Sequence, residues 1–131
     1  MKPFELTKKM LTIGGVFYPT GHAFIMLPTE AEGQQVAGEL GAAADQAMLL
    51  DPKTVLRDIG KVDGDDDSAM PDVGTESATV MKYIALARQG HHALMIPVDG
   101  DEEKERLMVA VRKTGCSYAQ LYHMLAMEDL I

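Results

Sequence analysis

Tryptophan is absent from this chain and cysteine occurs once, with three phenylalanines and four tyrosines in 131 residues. A lone Cys116 excludes an internal disulfide, and the opening MKPFELTKKM has no long apolar core of a secretory signal. A reducing cytoplasm is the setting this predicts. No apolar run approaches the roughly 20 residues that span a bilayer, so no membrane partner is expected. Positive charge is scarce: 12 Lys plus Arg face 20 Asp plus Glu, for a net charge of −8. Such a field repels phosphate backbones, which excludes non-specific DNA binding and argues against RNA. A P-loop, a dinucleotide fingerprint, zinc-finger spacing, a nucleophile elbow and an HExxH helix are all missing. The sequence therefore declares no reaction, and a non-enzymatic protein is expected.

What is present is enough apolar material for one core: 47% of residues are hydrophobic and ten are methionine. A chain of this size forms one domain, here taken as 1–131 with an N-terminal arm over 1–15. Methionine packs adaptably and specifies loosely, so stability is expected to lean partly on a partner subunit.

The pattern along the chain alternates strand and helix. Pro19-Thr-Gly21 signals a turn, after which His22-Ala-Phe-Ile-Met-Leu-Pro28 reads as a buried strand. Thr29-Glu-Ala-Glu32 has the capping-box spacing, so a helix starts there with Val36, Ala37, Leu40 and Ala44 on one stripe. Ala47–Leu50 is a short second strand. Asp51-Pro52 places an N-cap before a proline at the first helical position. Between Asp63 and Glu76 six residues are acidic and none is basic, which predicts a flexible, solvated acidic loop over 60–75. Asp63, Asp65 and Asp67 match the first ligands of a calcium loop, but Ser68 and Gly74 stand where glycine and glutamate are needed, so an EF-hand is excluded. A helix from Thr75 to Arg88 carries Val80, Tyr83, Ile84 and Ala87 on one stripe. A strand over 91–98, an acid-started helix with Leu107, Met108 and Val111 inward, and a strand over 116–124 complete the chain.

The strands at His22-Ala and His92-Ala begin alike, 70 residues apart, and each leads into an acid-started helix and a shorter strand. Two such halves assemble as an α+β ferredoxin-like βαβ-(α)-βαβ domain, a four-stranded antiparallel sheet with helices packed mainly on one face. The alternative is a small three-layer sheet in which the middle helix covers the other face.

Ala93-Leu-Met-Ile-Pro-Val-Asp99, Lys113-Thr-Gly115, Tyr122-His123 and Met127-Glu-Asp-Leu130, set after a strand leading into a Glu/Ala-rich helix, carry a resemblance covering about Thr20 to Ile131. In these pieces the chain resembles small bacterial general-stress or heat-induced stress protein domains of ferredoxin-like fold. The resemblance implies a cytoplasmic, non-enzymatic, stress-associated protein. The Phe17-Tyr-Pro-Thr-Gly-His22 opening and the acidic loop depart from that pattern.

In the ferredoxin-like order the first and third strands are expected at the sheet centre running parallel, which gives the first of two site readings. His22 and His92 then start side by side, the fourth strand brings His123 beside His22, and the second brings Asp51 towards His92. The expected candidate metal ligands are thus His22, His92, His123 and Asp51, a set suited to zinc, nickel or copper and sensitive to pH near neutrality. The competing reading is ordinary strand-end histidines bonded to local carbonyls. Tyr118 and Tyr122 share one strand face and are the candidate ligand-binding pair, able to stack a planar group or an RNA base as aromatics do on RNA-recognition sheets. Packing of that face against a second copy is the simpler expectation, which gives a homodimer paired through a sheet face or edge. Cys116 follows a helix C-terminus, where the dipole disfavours a thiolate, and is expected to be a structural thiol. The expected function is binding of a protein partner or small ligand, with the histidine rim as the alternative.

Overall fold

The apolar run at His22 forms the central strand of an antiparallel sheet in the computed structural model, which describes residues 1–60 and 75–131. The strands are β1 (His22–Leu27), β2 (Met48–Leu50), β3 (His92–Pro97), β4 (Tyr118–Tyr122) and β5 (Met127–Asp129). Their order is β2-β3-β1-β4-β5, and every neighbouring pair is antiparallel. The architecture is α+β, as the alternation of strand and helix predicts. The acidic segment and its calcium-loop spacing fall outside the described residues apart from Glu76.

Among the described residues the sheet has five strands where four were expected. Met127-Glu-Asp129 is short and polar, as edge strands often are, and pairs with β4 through Gln120, Leu121 and Tyr122. Gln120 Nε2 donates to Asp129 Oδ1 across that pair.

Local chemistry sets the helix starts. Thr29 accepts from the Glu32 amide at 3.2 Å and opens α1 (Glu30–Glu39). The Glu32 carboxylate accepts from the Thr29 hydroxyl and, at 2.6 Å, from the Gly115 amide, tying α1 to the segment before β4. Asp51 accepts from the Thr54 amide at 2.8 Å and opens α2 (Pro52–Thr54), with Pro52 in its first turn, before a π-helical turn over Val55–Ile59. The remaining long helices are α3 (Thr75–Arg88) and α4 (Asp101–Val111). No helix among the described residues is long and apolar enough to cross a membrane.

Both faces of the sheet are covered, which corrects the expectation of helices mainly on one face. On one side Ile25, Leu27, Leu94, Ile96 and Leu121 pack under Val36 and Leu40 at α1 and Leu107 and Val111 of α4. On the other Phe24, Met26, Met48, Leu50, Met95 and Tyr122 lie beneath Val80, Tyr83 and Ile84 of α3 and Val55 and Ile59 of the π turn. The N-terminal residues complete this second layer: Phe4, Leu6, Met10 and Val16 pack on it, and Lys2 bridges to Met48 beside the β2 edge. Phe17 and Tyr18 are buried there as well. The unbroken apolar run of β1 is what a strand buried on both faces requires.

Candidate functional site

The first and third strands run antiparallel, and this overturns the expected meeting of histidines. In the register His22 stands opposite Pro97, and Leu27 stands opposite His92. The two residues therefore sit at opposite ends of a six-residue strand, separated by about 17 Å at the usual rise. Metal ligands need to converge at about 2.0 to 2.2 Å. Among the described residues no three His, Cys, Asp or Glu side chains are grouped to hold a metal ion. The matching His-Ala starts read identically whichever way the strands run, so the pairing direction was not available from them.

Each expected ligand has a local environment instead. His22 Nδ1 donates to the Thr20 carbonyl at 3.1 Å. His123 bonds Glu128 at 2.9 Å through Nε2, and the other oxygen of Glu128 accepts from Lys104 Nζ at 2.9 Å. The His123 bond, followed by the Lys104 bond, holds the Glu128 carboxyl below its usual range. Tyr18 donates its hydroxyl to the His123 carbonyl at 2.7 Å, which pins the β4–β5 hairpin to the second core layer. At the far end of the sheet, Asp51 is held below the usual carboxylate range by its Thr54 bonds first and by His92 to a smaller degree. His92 is half-buried, and its Nδ1 is enclosed without a hydrogen-bond partner. The neighbouring His91 Nδ1 bonds Ser117 Oγ at 2.9 Å. Ser117 Oγ also reaches the Met26 carbonyl at 3.2 Å, so the hydroxyl is shared between an imidazole and a strand carbonyl.

The tyrosine pair does not form an open platform. Tyr122 is 1% exposed, enclosed by Phe17, Tyr18 and the hydroxyl of Tyr83 at 2.7 Å. Tyr118 is partly buried against Tyr83, with Lys82 Nζ 5.4 Å above its ring. A face that stacks bases or pairs with a second copy has to be free, and α3 with the N-terminal residues occupies this one. The signal for this was the stripe Val80, Tyr83, Ile84 and Ala87, which needs an apolar surface to bury against.

Cys116 is half-buried; burial pushes its thiol up to about 11, and the thiol donates to the Tyr118 carbonyl at 3.5 Å. That is the chemistry of a resting thiol.

The concave surface lies where β3 runs out into α4, a place the sequence did not mark. Two cavities adjoin there, and Val98 lines both. The first, about 350 Å³, has walls of Leu40, Ala43, Ile96 and Leu107 with Glu103 and Arg106 at its mouth. The second, about 310 Å³, is lined by Gly21, Asp99, Lys104, Tyr122, His123 and Met124. Gly100 makes the turn between strand and helix with φ of 91°, a conformation that glycine adopts without strain. Glu103 accepts from the Asp99 amide at 2.8 Å and so fixes the first turn of α4. Comparison of the chain with models of protein families, with curated proteins and with solved structures finds no match.

Proposed function

We propose that this chain is a small non-enzymatic binding domain whose recognition end is the junction of β3 with α4. The observation that carries this is the pair of cavities of about 350 and 310 Å³ on either side of Val98, the smaller sizes at which pockets begin to enclose small molecules. The first is walled by the end of β3, α4 and the segment that follows α1, and the second by the turns beside β1, β3 and β4 with the start of α4. The non-enzymatic reading is supported by the raised thiol of Cys116. A ferredoxin-like ancestry is supported by the antiparallel run β2-β3-β1-β4, to which β5 adds an edge. Membership among stress-associated binding domains is the reading that the resemblance described above supports.

An NMR screen of small apolar fragments against the isotopically labelled full chain tests the reading. Hits should shift amides of residues 40–43 and 96–107. Shifts scattered over the surface, or none, would end it.

A second reading, self-association, has its own observation. Both sheet faces are filled within the chain, but β5 is an edge among the described residues, and Met124 and Leu125 of its hairpin are 80% and 92% exposed. We infer a homodimer paired along this edge, with those two side chains at its centre. Light scattering after size exclusion should give twice 14.2 kDa for the wild type and 14.2 kDa for Leu125→Asp. A wild-type mass that stays at the single-chain value at high concentration rejects it.

A further inference from the structure

The first cavity carries a charge pattern that specifies its ligand more narrowly than its apolar walls do. Glu103 and Arg106 are three residues apart on α4, so they rise from the same helix face one turn apart, and both line the mouth. They form no ion pair with each other, and Arg106 has no hydrogen-bond or ion-pair partner among the described residues. This contrasts with its neighbours: Arg112 pairs with Glu105, Lys104 with Glu128, and Lys113 with Glu39. One oxygen of Glu103 accepts the Asp99 amide, which fixes the carboxylate at the rim and leaves its second oxygen free. Behind the two charges the walls are Leu40, Ala43, Ile96 and Leu107.

A group that satisfies this arrangement needs an anion for Arg106, a cation for Glu103 and an apolar body between them. A simple fatty carboxylate would face the Glu103 charge without compensation, and an alkylamine would face Arg106. We propose that this cavity binds a free α-amino acid with an apolar side chain: its carboxylate on Arg106, its ammonium on Glu103 and its side chain against Leu40, Ile96 and Leu107. The cavity of about 350 Å³ accommodates a ligand of that size. This rests on the binding reading above and names the ligand class for one of its two cavities.

Three probes separate the contributions: leucine, N-acetylleucine, which keeps the carboxylate and loses the ammonium, and leucinamide, which keeps the ammonium and loses the carboxylate. Affinities are read by NMR titration of the full chain somewhat below neutral pH, where the leucinamide amine stays charged. Leucine should shift the amides of residues 40–43, 96–98 and 103–107, with each blocked probe at least about tenfold weaker, the scale of one charge-assisted hydrogen bond. Arg106→Gln should bring leucine down to the affinity of leucinamide. Glu103→Gln keeps an acceptor for the Asp99 amide, so it should leave the helix start intact and erase the preference over N-acetylleucine.

If either blocked probe binds as tightly as leucine, the zwitterion assignment is wrong. Equal binding of leucinamide would point to a peptide N-terminus, and of N-acetylleucine to a peptide C-terminus. If leucine leaves the cavity amides unmoved while uncharged fragments shift them, the ligand class falls and the binding reading stands. If no probe and no fragment shifts them, both fall.

Discussion

The hydroxyls of Tyr83 and Tyr122 meet at 2.7 Å in the second core layer, with the two residues 0% and 1% exposed. Each is the other's hydrogen-bond partner, so removing one strands the other as a lone buried hydroxyl. Tyr83→Phe keeps the ring contact with Phe24 at 4.4 Å, and Tyr122→Phe keeps that with Tyr18 at 4.8 Å, so packing is largely conserved. Each single variant should then lose about 1–3 kcal/mol, the cost of one unsatisfied buried polar group. The double variant removes both partners at conserved shape and should come within about 1 kcal/mol of wild type. The coupling is therefore large and compensating, where independent sites would add. Urea unfolding followed by far-ultraviolet circular dichroism of the four proteins measures this. A double variant that loses the sum of the two singles would refute the assignment of the stability to the hydroxyl pair.

The same pair makes an alkaline prediction. Burial raises both phenols above their ordinary value of 10.0; Tyr122 raises Tyr83 further, whereas the bond with Tyr83 partly offsets the rise at Tyr122. In the unfolded chain they ionise near that value, so the folded state holds its protons longer. Their contribution is complete below about pH 10 and is lost as pH rises towards the folded values. Wild-type stability should fall in that range and the double phenylalanine variant should fall less, which urea unfolding at pH 9 to 11 would read.

Asp51→Ala removes the cap of α2 and should cost about 0.5–2 kcal/mol, with Asp51→Ser retaining most of it, as urea midpoints would report. The Asp51 carboxyl is lowered, so this contribution is present above its ordinary value of 3.8 and disappears as pH falls through the folded one. For Cys116, a thiol at about 11 where an ordinary one lies at 9.0 holds far less thiolate, so iodoacetamide near pH 8 should react about a hundredfold more slowly than with a free cysteine peptide. A rate matching the peptide would contradict the burial. Glu128→Gln should loosen the β4–β5 hairpin: hydrogen exchange at the His123 amide, which is bonded to the Ala126 carbonyl at 2.9 Å, should accelerate, while amides of α1 stay unchanged.

Local features were legible because neighbours in sequence carry them. Thr29 and Asp51 cap their helices as their spacing implies, and the stripes Val36-Ala37-Leu40, Val80-Tyr83-Ile84 and Leu107-Met108-Val111 are buried. The run His22–Leu27 held a further signal, since a strand apolar at every position is covered on both faces rather than one. Burial of Phe17 and Tyr18, which stand just before the Pro19–Gly21 turn, carried no local signal. The strand β5 was hidden by its polar residues, which an edge accommodates and an interior strand does not.

Composition, capping and periodicity thus determined that the chain forms alternating strands and helices around an apolar core, because each of these is decided within a few residues. Pairing direction was decided only by tertiary structure. Antiparallel packing of β1 against β3 sends His22 and His92 to opposite ends of the sheet, and the cover supplied by α3 turns Tyr122 from a surface group into a core one. The same packing brings Leu40, Ile96, Glu103 and Arg106 around one cavity. No local pattern marks that convergence, since it depends on how a strand end, a helix start and a distant helix end come to share one rim.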